Sequence, residues 1–585
     1  MGELGGLSVV KEPVGKYSSG RIVGEQRKAL GLLEELDLSS IQDERLRQCI
    51  VMLLNMVEQL KRENAELRAE VQRLRDENQR LKGEQGKPKV KGNTPKPPPA
   101  KPTDYSSERE RHIPKPWSKS SKKASIHIDR EETLKVDPAI LPGDAELRDH
   151  EEVLVQDVVF GSDNIRFRKE KWYSPAEHQT YLAPLPAGYE GQFGPSLKAL
   201  AISLCFGANV SEPKALELFR EAGIVISAGQ LSNLLIKAQE RFHAEKAALY
   251  EAGLSSAPWQ QIDETSTRVN GQNQHCQIVG NPLYTAYFTT ESKNRQTVID
   301  VLRNGRPRQY LLNAEAESFL ETVGLSRVLR QQLDRLPRDR VLAETTLLGL
   351  LTEHLPRVGP QQRRWILDAL AVAAYHAAVG FPVAKLLLCD DAPQFSLVTE
   401  ELALCWVHEA RHYNKLLPYV TPHQKLLGEF QGRFWDYYRE LLAYREAPTT
   451  ADRQRLTAEF EELFATKTGY YDLDERIAKT REKKGALLMV LAHPEIPLHN
   501  NDTELGARQR VRKRDVSFGP RVPDGTRAWD TFQTLAATAR KLGVSFHAYI
   551  HDRISKANQM PGLDHIIEAR AKDLNLGASW APSGP

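Results

Sequence analysis

The sequence predicts an α/β protein of several domains, and three patterns support this prediction. Leucines recur every seven residues between residues 46 and 81, which indicates a long coiled-coil helix. Residues 260–290 resemble three short strands, and the first two are joined by Asn270 and Gly271, a pair that favours a tight hairpin turn. A later apolar run at 383–389 ends in two aspartates, as buried strands at the ligand sites of α/β sheets often do.

Composition limits the classes of protein that the chain can belong to. It has 585 residues, of which 40% are hydrophobic and 27% charged, so most of it should fold. The net charge of +3 is small, so a nucleic-acid surface requires local clusters of charge. Five scattered cysteines without a CxxC pair argue against a zinc ribbon or a disulfide framework and favour a reducing cytoplasm. We expect no signal peptide and no membrane span, because no apolar run approaches about 18 residues.

The heptad pattern predicts a parallel two-stranded coiled coil in residues 41–85. Leucine occupies the d positions, β-branched residues or asparagine occupy the a positions, and glutamates at g would face basic residues at e of a second copy. Asn64 and Asn78 would set the register. The residues predicted to form the dimer interface are Leu46, Leu53, Leu60, Asn64, Leu67, Leu74, Asn78 and Leu81. The alternative is a single long helix that lies on the protein's own surface.

The rest of the chain divides into segments of different composition. We predict a flexible N-terminus at 1–40, a disordered linker rich in lysine and proline at 86–124, a small β-rich domain at 125–180 and a helical region at 181–253. Core segments at 254–310, 379–411 and 496–571 are separated by helical insertions at 311–378 and 412–495. Residues 572–585 are predicted to be a disordered tail.

Two of these segments contain more specific signals. The β-rich domain should have strands at 126–128, 152–155 and 165–168. The helical region should have two helices on either side of Gly223, the second of them capped by Ser227. Such a pair fits either a DNA-binding helix-turn-helix or an ordinary helical hairpin.

Three carboxylates stand out by their local context. Asp263 lies early in the first strand of the meander, Asp390 ends the later apolar strand, and Glu504 lies in a helix whose predicted N-cap is Asn501 or Asp502. This order of elements is that of a ribonuclease H-like fold, in which the later strand pairs parallel to the first. The order would bring the three carboxylates together, and such a group suits two magnesium ions.

Basic residues follow Glu504 in the same helix. The candidate DNA-binding residues are Arg508, Arg510, Arg512, Lys513 and Arg514. The alternative for Glu504 and Arg508 is an ion pair on a solvated helix.

A third group begins another helix. Cys405, His408 and Arg411 are candidates for positioning the site or the DNA, because a Cys-x-x-His pair has too few ligands for a structural zinc ion. Trp406 is predicted to lie in the core.

These motifs resemble those of the insertion sequence 66 family of bacterial transposases. The matching segments are AGIVIS at 222–227, QIDETSTRVNG at 261–271, LLLCDDAPQF at 386–395, CWVHEARHY at 405–413, HNNDTELGARQRVRKRDVSFG at 499–519 and DGTRAWDTFQTLAATARKLG at 524–543. The resemblance runs along most of residues 41–555 and is weak in the helical insertions. It differs at 160–180, which lack the cysteines of many members, and at Asp515, where the family has an aromatic residue.

The resemblance implies a DDE transposase with a ribonuclease H-like core. Asp263, Asp390 and Glu504 would be the catalytic and metal-binding triad, with Asp391 as an alternative to Asp390, and two Mg²⁺ ions, or Mn²⁺ in their place, would be the cofactors. The enzyme would bind the terminal inverted repeats of its element, cleave phosphodiester bonds and join the 3′-hydroxyl ends to target DNA. It would act in the bacterial cytoplasm, on nucleoid DNA, as a homodimer or a larger assembly, with accessory transposition proteins as further candidate partners.

Two other functions stay open at this stage. One is a non-catalytic DNA-binding regulator derived from a transposase, and the other is a ribonuclease H-like nuclease without strand transfer. Loss of an acid from the triad would favour the regulator, whereas cleavage without joining would favour the nuclease.

Overall fold

The computed structural model describes residues 41–81, 128, 131–134 and 160–581. They form an α/β protein with one mixed sheet, as the sequence predicts. The predicted N-terminal segment and linker, the strand at 152–155, nearly all of the strand at 126–128, and the last four residues lie outside the described part. No helix in the described part combines the length and the apolar character needed to cross a membrane.

Strands occur in three separate sheets. Those in the described residues are β1 (Lys171–Ser174), β2 (Gln179–Leu182), β3 (Trp259–Val269), β4 (Gln272–Asn281), β5 (Tyr284–Thr290), β6 (Gln309–Tyr310), β7 (Leu342–Ala343), β8 (Leu386–Cys389) and β9 (Glu401–Leu404). Strands β1 and β2 form a short antiparallel hairpin, and β6 and β7, which are distant in the chain, form a short antiparallel pair. The other strands form the central sheet.

Helices make up most of the remaining structure. In the N-terminal half of the described chain they are α1 (Glu44–Leu81), α2 (Pro195–Ile202), α3 (Glu212–Glu221), α4 (Ala228–Ile236), α5 (Glu240–Ser255), α6 (Arg295–Leu302), α7 (Ala314–Thr322), α8 (Arg327–Gln332), α9 (Glu344–His354) and α10 (Pro360–His376). After β9 they are α11 (Trp406–Asn414), α12 (Thr421–Glu446), α13 (Thr450–Phe464), α14 (Tyr471–Glu482), α15 (Lys484–Leu487), α16 (Asn501–Ser517), α17 (Pro523–Lys541), α18 (Phe546–Ile554) and α19 (Leu563–Leu574).

The central sheet has the strand order β5-β4-β3-β8-β9. The first three strands form the predicted antiparallel meander, and the β3–β4 turn uses Asn270 and Gly271 with φ of 49° and 77°. Strand β8 is parallel to β3, and β9 is parallel to β8, so the sheet is mixed. Helices α16 and α17 pack on its strands and bury residues such as Ile278 and Tyr287.

Helix α1 lies against the helical insertion at 412–495 through one of its faces. Leu54 and Glu58 are 4% and 2% exposed, and the Glu58 carboxylate accepts hydrogen bonds from the backbone N–H groups of Tyr419 and Val420 at 2.7 and 3.1 Å. Asn55 bonds to the backbone at the start of α14, where its amide donates to the Gly469 carbonyl at 2.7 Å. These contacts use the b, e and f positions of the heptads, a face that adjoins the leucine stripe at position e.

The leucine stripe of α1 faces solvent. Leu46, Leu53, Leu60, Leu67 and Leu74 are between 51% and 64% exposed. One face of the helix therefore lies on the protein's own surface, as in the single-helix interpretation. The face predicted to form the dimer is exposed to solvent, as the coiled-coil interpretation requires. Dimer formation itself stays a prediction.

Two predictions about irregular segments are wrong. Residues 165–168 form no strand, because their side chains are exposed and no neighbouring strand pairs with them; the hairpin β1–β2 follows instead. The tail is ordered as far as residue 581 rather than disordered from 572. Trp580 stacks on His493 at 3.7 Å between ring centroids, and the carbonyl of Leu576 accepts a hydrogen bond from the Trp259 indole at 2.7 Å.

The two helices around Gly223 are present as α3 and α4. Ser227 caps α4 by accepting a hydrogen bond from the backbone N–H of Gln230. The one basic residue near the end of α4, Lys237, forms an ion pair with Asp524 at 2.5 Å. A DNA-binding role for this pair of helices stays a prediction.

Replacing Glu58 with alanine should loosen α1 from the helical insertion. The substitution removes the acceptor of two backbone N–H groups, which costs about 1–3 kcal/mol when such groups are buried. We expect faster hydrogen exchange at residues 419–423 and a lower free energy of unfolding in denaturant titrations. Glu66→Ala, at an exposed c position of the same helix, is the matched control. Equal exchange in both variants would contradict the docking role of Glu58.

Candidate active site

The register of the parallel strands places Asp263 and Asp390 next to each other. Gln261 of β3 pairs with Leu388 of β8; Asp263 follows two residues later in β3, and Asp390 lies two residues after Leu388, directly after the end of β8. Because side chains alternate between faces with a period of two, both aspartates lie on the same face as that pair. The element order noted in the sequence therefore produces adjacent carboxylates.

Alternation also separates Asp391 from this pair. It is one residue further on, its side chain is 49% exposed, and its carboxylate forms an ion pair with Lys483 at 2.5 Å. Lys483 also contacts the buried Glu409 at 3.1 Å. Asp390 is therefore the better partner for Asp263, and Asp391 belongs to a separate charge network.

Helix α16 brings Glu504 over the same face of the sheet. The Gln261 side chain accepts a hydrogen bond from the Asp502 backbone N–H at 3.2 Å and donates to the Asp502 carboxylate at 3.1 Å. Gly506 allows close packing, since an added Cβ would lie 2.9 Å from the Ile278 side chain. The start of the helix is thereby fixed beside the aspartates.

The predicted N-cap of this helix is wrong by one or two residues. The helix begins at Asn501, so Asn500 is the cap residue, and its own side chain makes no capping hydrogen bond. Gln261 satisfies the backbone N–H of Asp502 from the sheet instead. A side chain more than two hundred positions away in the sequence therefore performs the capping that local sequence rules assign to a neighbour.

Asp263 is strongly affected by its surroundings. Burial raises the pKa of its carboxyl to about 7, and the negative charges of Asp390 and Glu504 add to this rise. A hydrogen bond from the Glu264 backbone N–H at 2.8 Å opposes it. The three predicted acids are therefore close enough for their charges to interact.

Glu504 is held by two arginines. Its Oε1 atom accepts hydrogen bonds from Arg411 at 2.7 Å and from Arg508 at 2.8 Å. Burial disfavours its charge, but these guanidinium groups outweigh burial and lower the pKa of Glu504. Its other oxygen, Oε2, is buried without a hydrogen-bond partner. The alternative interpretation is confirmed for the ion pair, since Glu504 and Arg508 do pair four residues apart, but it is wrong about the solvated position, since Glu504 is buried.

Arg411 connects a histidine to this site. Its Nη1 atom lies 2.8 Å from His408 Nε2, and burial, together with the charge of Arg411, lowers the pKa of His408. Cys405 is buried beneath the helix start, where burial raises the pKa of its thiol to about 11, so it acts in packing. Trp406 is fully buried, as predicted.

The prediction that all five basic residues of this helix bind DNA is wrong for two of them. Arg510 is fully buried and bonds to Asp530 at 2.9 Å and Gln533 at 2.6 Å, and Lys513 donates to the Cys205 carbonyl at 2.5 Å. The cause is helical periodicity, which turns these two positions toward the sheet and α17.

The other three basic residues of α16 have different environments. Arg508 pairs with Glu504, Arg514 donates to the Ser266 carbonyl at 2.7 Å, and Arg512 is exposed. Arg512 therefore remains the most accessible candidate for contact with DNA on this helix.

The carboxylates fit a divalent cation in part. Their oxygens are the donors that Mg²⁺ and Mn²⁺ prefer, and the buried Oε2 of Glu504 has a free lone pair. In the part of the chain that the structure describes, no group of three or more Asp, Glu, His or Cys side chains is already arranged as a metal site.

Sequence reasoning missed two residues that shape the site. Gln261 lies two residues before Asp263 and so on the same face of β3, a signal that the alternation of the strand already contained. No local sequence pattern predicts the ion pair of Lys483, at the end of α14, with Asp391. Lys483 reaches Asp391 only because the end of the insertion packs on β9, the neighbour of β8.

Comparison with known proteins gives a distant relative. No family model matches the chain. The chain is similar to Uncharacterized protein y4jO of Sinorhizobium fredii (strain NBRC 101917 / NGR234), with 32% identity over 328 residues, which is 55% of this chain and 100% of that protein. Because the match covers the whole of that relative, the chain belongs to the same protein family as y4jO.

Proposed function

We propose that the chain is a metal-dependent DNA transposase of the DDE type, with a ribonuclease H-like core. It would cleave phosphodiester bonds at the ends of a mobile element and join the 3′-hydroxyl ends to target DNA in the bacterial cytoplasm. The observation that carries this proposal is the grouping of Asp263 with Asp390 and Glu504; burial raises the pKa of Asp263 to about 7, and the charges of the other two acids add to that rise. The strand order, with β8 parallel to β3, supports it.

Different residues would bind the metal ions, bind the scissile phosphate and orient the phosphate-binding groups. Asp263, Asp390 and Glu504 would hold two Mg²⁺ ions, or Mn²⁺, and bound cations of this kind activate an attacking hydroxyl and stabilise the leaving oxygen. Arg411 and Arg508 would turn from Glu504 toward the phosphate, where guanidinium groups bind oxyanions well. His408 stays neutral beside Arg411 and would keep it oriented.

Removing any triad carboxylate should abolish cleavage. We expect Asp263→Asn, Asp390→Asn and Glu504→Gln each to lower nicking and joining of a labelled DNA end by more than about a hundredfold, since even residues that support metal ligands contribute about 10- to 100-fold. DNA binding should persist. Asp391→Asn is the matched control and should retain most activity, because Asp391 pairs with Lys483.

The products distinguish the alternatives. Joined product in a plasmid integration assay supports the transposase, and nicking alone would favour the nuclease. Binding without any cleavage by the wild-type chain would favour the regulator.

Metal binding should strengthen as the pH rises through about 7. Asp263 must lose its proton to bind a cation, and its pKa in the folded protein is about 7, so affinity for Mn²⁺ should increase by up to about tenfold per pH unit below that value. Calorimetric titrations at pH 6 and 8 would measure this increase. Affinity that is independent of pH would contradict the assignment.

The same shift predicts an effect on stability. The folded state raises the pKa of Asp263, so the protonated form is favoured and stability from this group is lost as the pH rises through about 7. Asp263→Asn should therefore raise the melting temperature of the metal-free protein at pH 8 more than at pH 5. Differential scanning calorimetry at the two pH values would test the sign.

We propose further that two copies of the chain associate through the open leucine stripe of α1. The leucines of the stripe are exposed along the helix while another face is fixed to the helical insertion, and Asn64 at an a position favours a parallel pair. A dimer joined in this way would hold two DNA ends.

Charge in the stripe should dissociate the dimer. We expect Leu60→Lys with Leu67→Lys to convert the full-length chain from dimer to monomer in sedimentation velocity, since lysine ammonium groups would replace two buried d contacts. The matched control is Glu66→Lys, a charge change outside the stripe. A wild-type chain that sediments as a monomer would contradict the proposal.

A further inference from the structure

The C-terminal end of α16 displays an aromatic ring to solvent. Phe518 is 87% exposed, more than any other Phe, Tyr or Trp of the described residues. Its backbone is left-handed, with φ of 59°, although helix ends of this shape usually carry glycine because a Cβ is disfavoured there. Exposure of the ring and the strained backbone both work against stability, so folding alone does not explain this residue.

The backbone that carries the ring is firmly held. The N–H of Phe518 donates to the helix carbonyl four residues earlier at 2.7 Å. At Gly519, φ is 88°, and an added Cβ would lie 2.3 Å from the carbonyl oxygen of Arg268, so the turn touches the β3–β4 hairpin. The Pro520 carbonyl accepts a hydrogen bond from the Asn270 N–H at 2.9 Å. The ring is therefore presented from a fixed position.

Three exposed arginines lie on the segments that meet at this turn. Arg268 lies on the adjoining strand, Arg521 follows three residues after Phe518, and Arg512 lies six residues before it on α16; all three are exposed. Within the described part of the chain none of these arginines has an ion pair or a side-chain hydrogen bond. The nearest acid in sequence, Asp515, is exposed and lies 3.4 Å from Arg514. The surface thus combines cations without counter-ions and one apolar ring.

We propose that Phe518 and the three arginines form a DNA-binding tip, in which the ring stacks on an unpaired base and the arginines bind the flanking phosphates. This inference rests on the proposed function. Aromatic rings set among cations are the usual means of binding single-stranded nucleic acid, because every base offers a face for stacking. The charge of the tip complements a polyanion, whereas an apolar protein partner would leave the arginines uncompensated.

The helix sets the distance between this tip and the carboxylates. Phe518 follows Glu504 by fourteen residues, which at 1.5 Å per residue places it about 21 Å further along the axis. Phosphates in one strand of DNA are 3.4 Å apart, so the ring would meet the DNA roughly six nucleotides from the cleaved bond. The tip would therefore grip the strand that is opened next to the cleavage site.

The test measures the affinity of the full-length chain for a fluorescent 30-nucleotide single strand and for a duplex of mixed sequence. We expect Phe518→Ala to weaken binding to the single strand about tenfold, with an unchanged salt dependence, and Phe518→Trp to retain affinity. Arg521→Gln should lower the slope of log K against log salt by about one. Val225→Ala, at a 94% exposed apolar residue elsewhere, is the matched control.

Several results would overturn the inference. One such result is a Phe518→Ala variant that binds the single strand as tightly as the wild-type chain does. The proposed function would survive this result if the wild-type chain cleaved DNA. Weaker self-association of Phe518→Ala in sedimentation, with unchanged DNA affinity, would assign the ring to a protein contact instead. A wild-type chain that bound neither DNA would overturn both proposals.

Discussion

The parallel pairing of β3 with β8 is the constraint on which the candidate site depends. It joins residues that are 127 positions apart in the chain, and the pairing of Gln261 with Leu388 sets which carboxylates become neighbours. A shift of one residue in this pairing would place Asp391 instead of Asp390 beside Asp263. It would turn the carboxylate of Asp390 to the other face of the sheet. The buried side chains around the strands, such as Trp259 and Leu387, keep the register in place.

Charge balance is the second condition. Carboxylates that lie close together repel each other unless cations balance their charge, and in the described residues two side chains do this for Glu504, namely Arg411 and Arg508. Asp263 has no such partner, and its pKa rises instead. The negative charge of the site is thus partly neutralised at Glu504, whereas Asp263 responds to its burial by a raised pKa.

Two helices of the protein use different faces for different contacts. In α16 Arg510 is buried and bonds to Asp530, Glu504 is buried beside Arg508, and Arg512 is exposed. In α1 the b, e and f positions bind the helical insertion, and the leucine stripe is open. Helix α14 joins these regions, because its start contacts α1 through Tyr471 and the residue after its end, Lys483, contacts Asp391.

The sequence by itself determined the features that depend on local pattern. Heptads predicted α1, Asn270 with Gly271 predicted the hairpin, and the chain order of meander, apolar strand and acidic helix indicated that Asp263, Asp390 and Glu504 lie near each other. Tertiary structure decided which basic residues of α16 are buried and which are exposed. Burial of Arg510 and capping of α16 by Gln261 depend on packing between distant segments, for which no local periodicity exists. The ordered tail around Trp580 has the same cause, since its partners lie elsewhere in the chain.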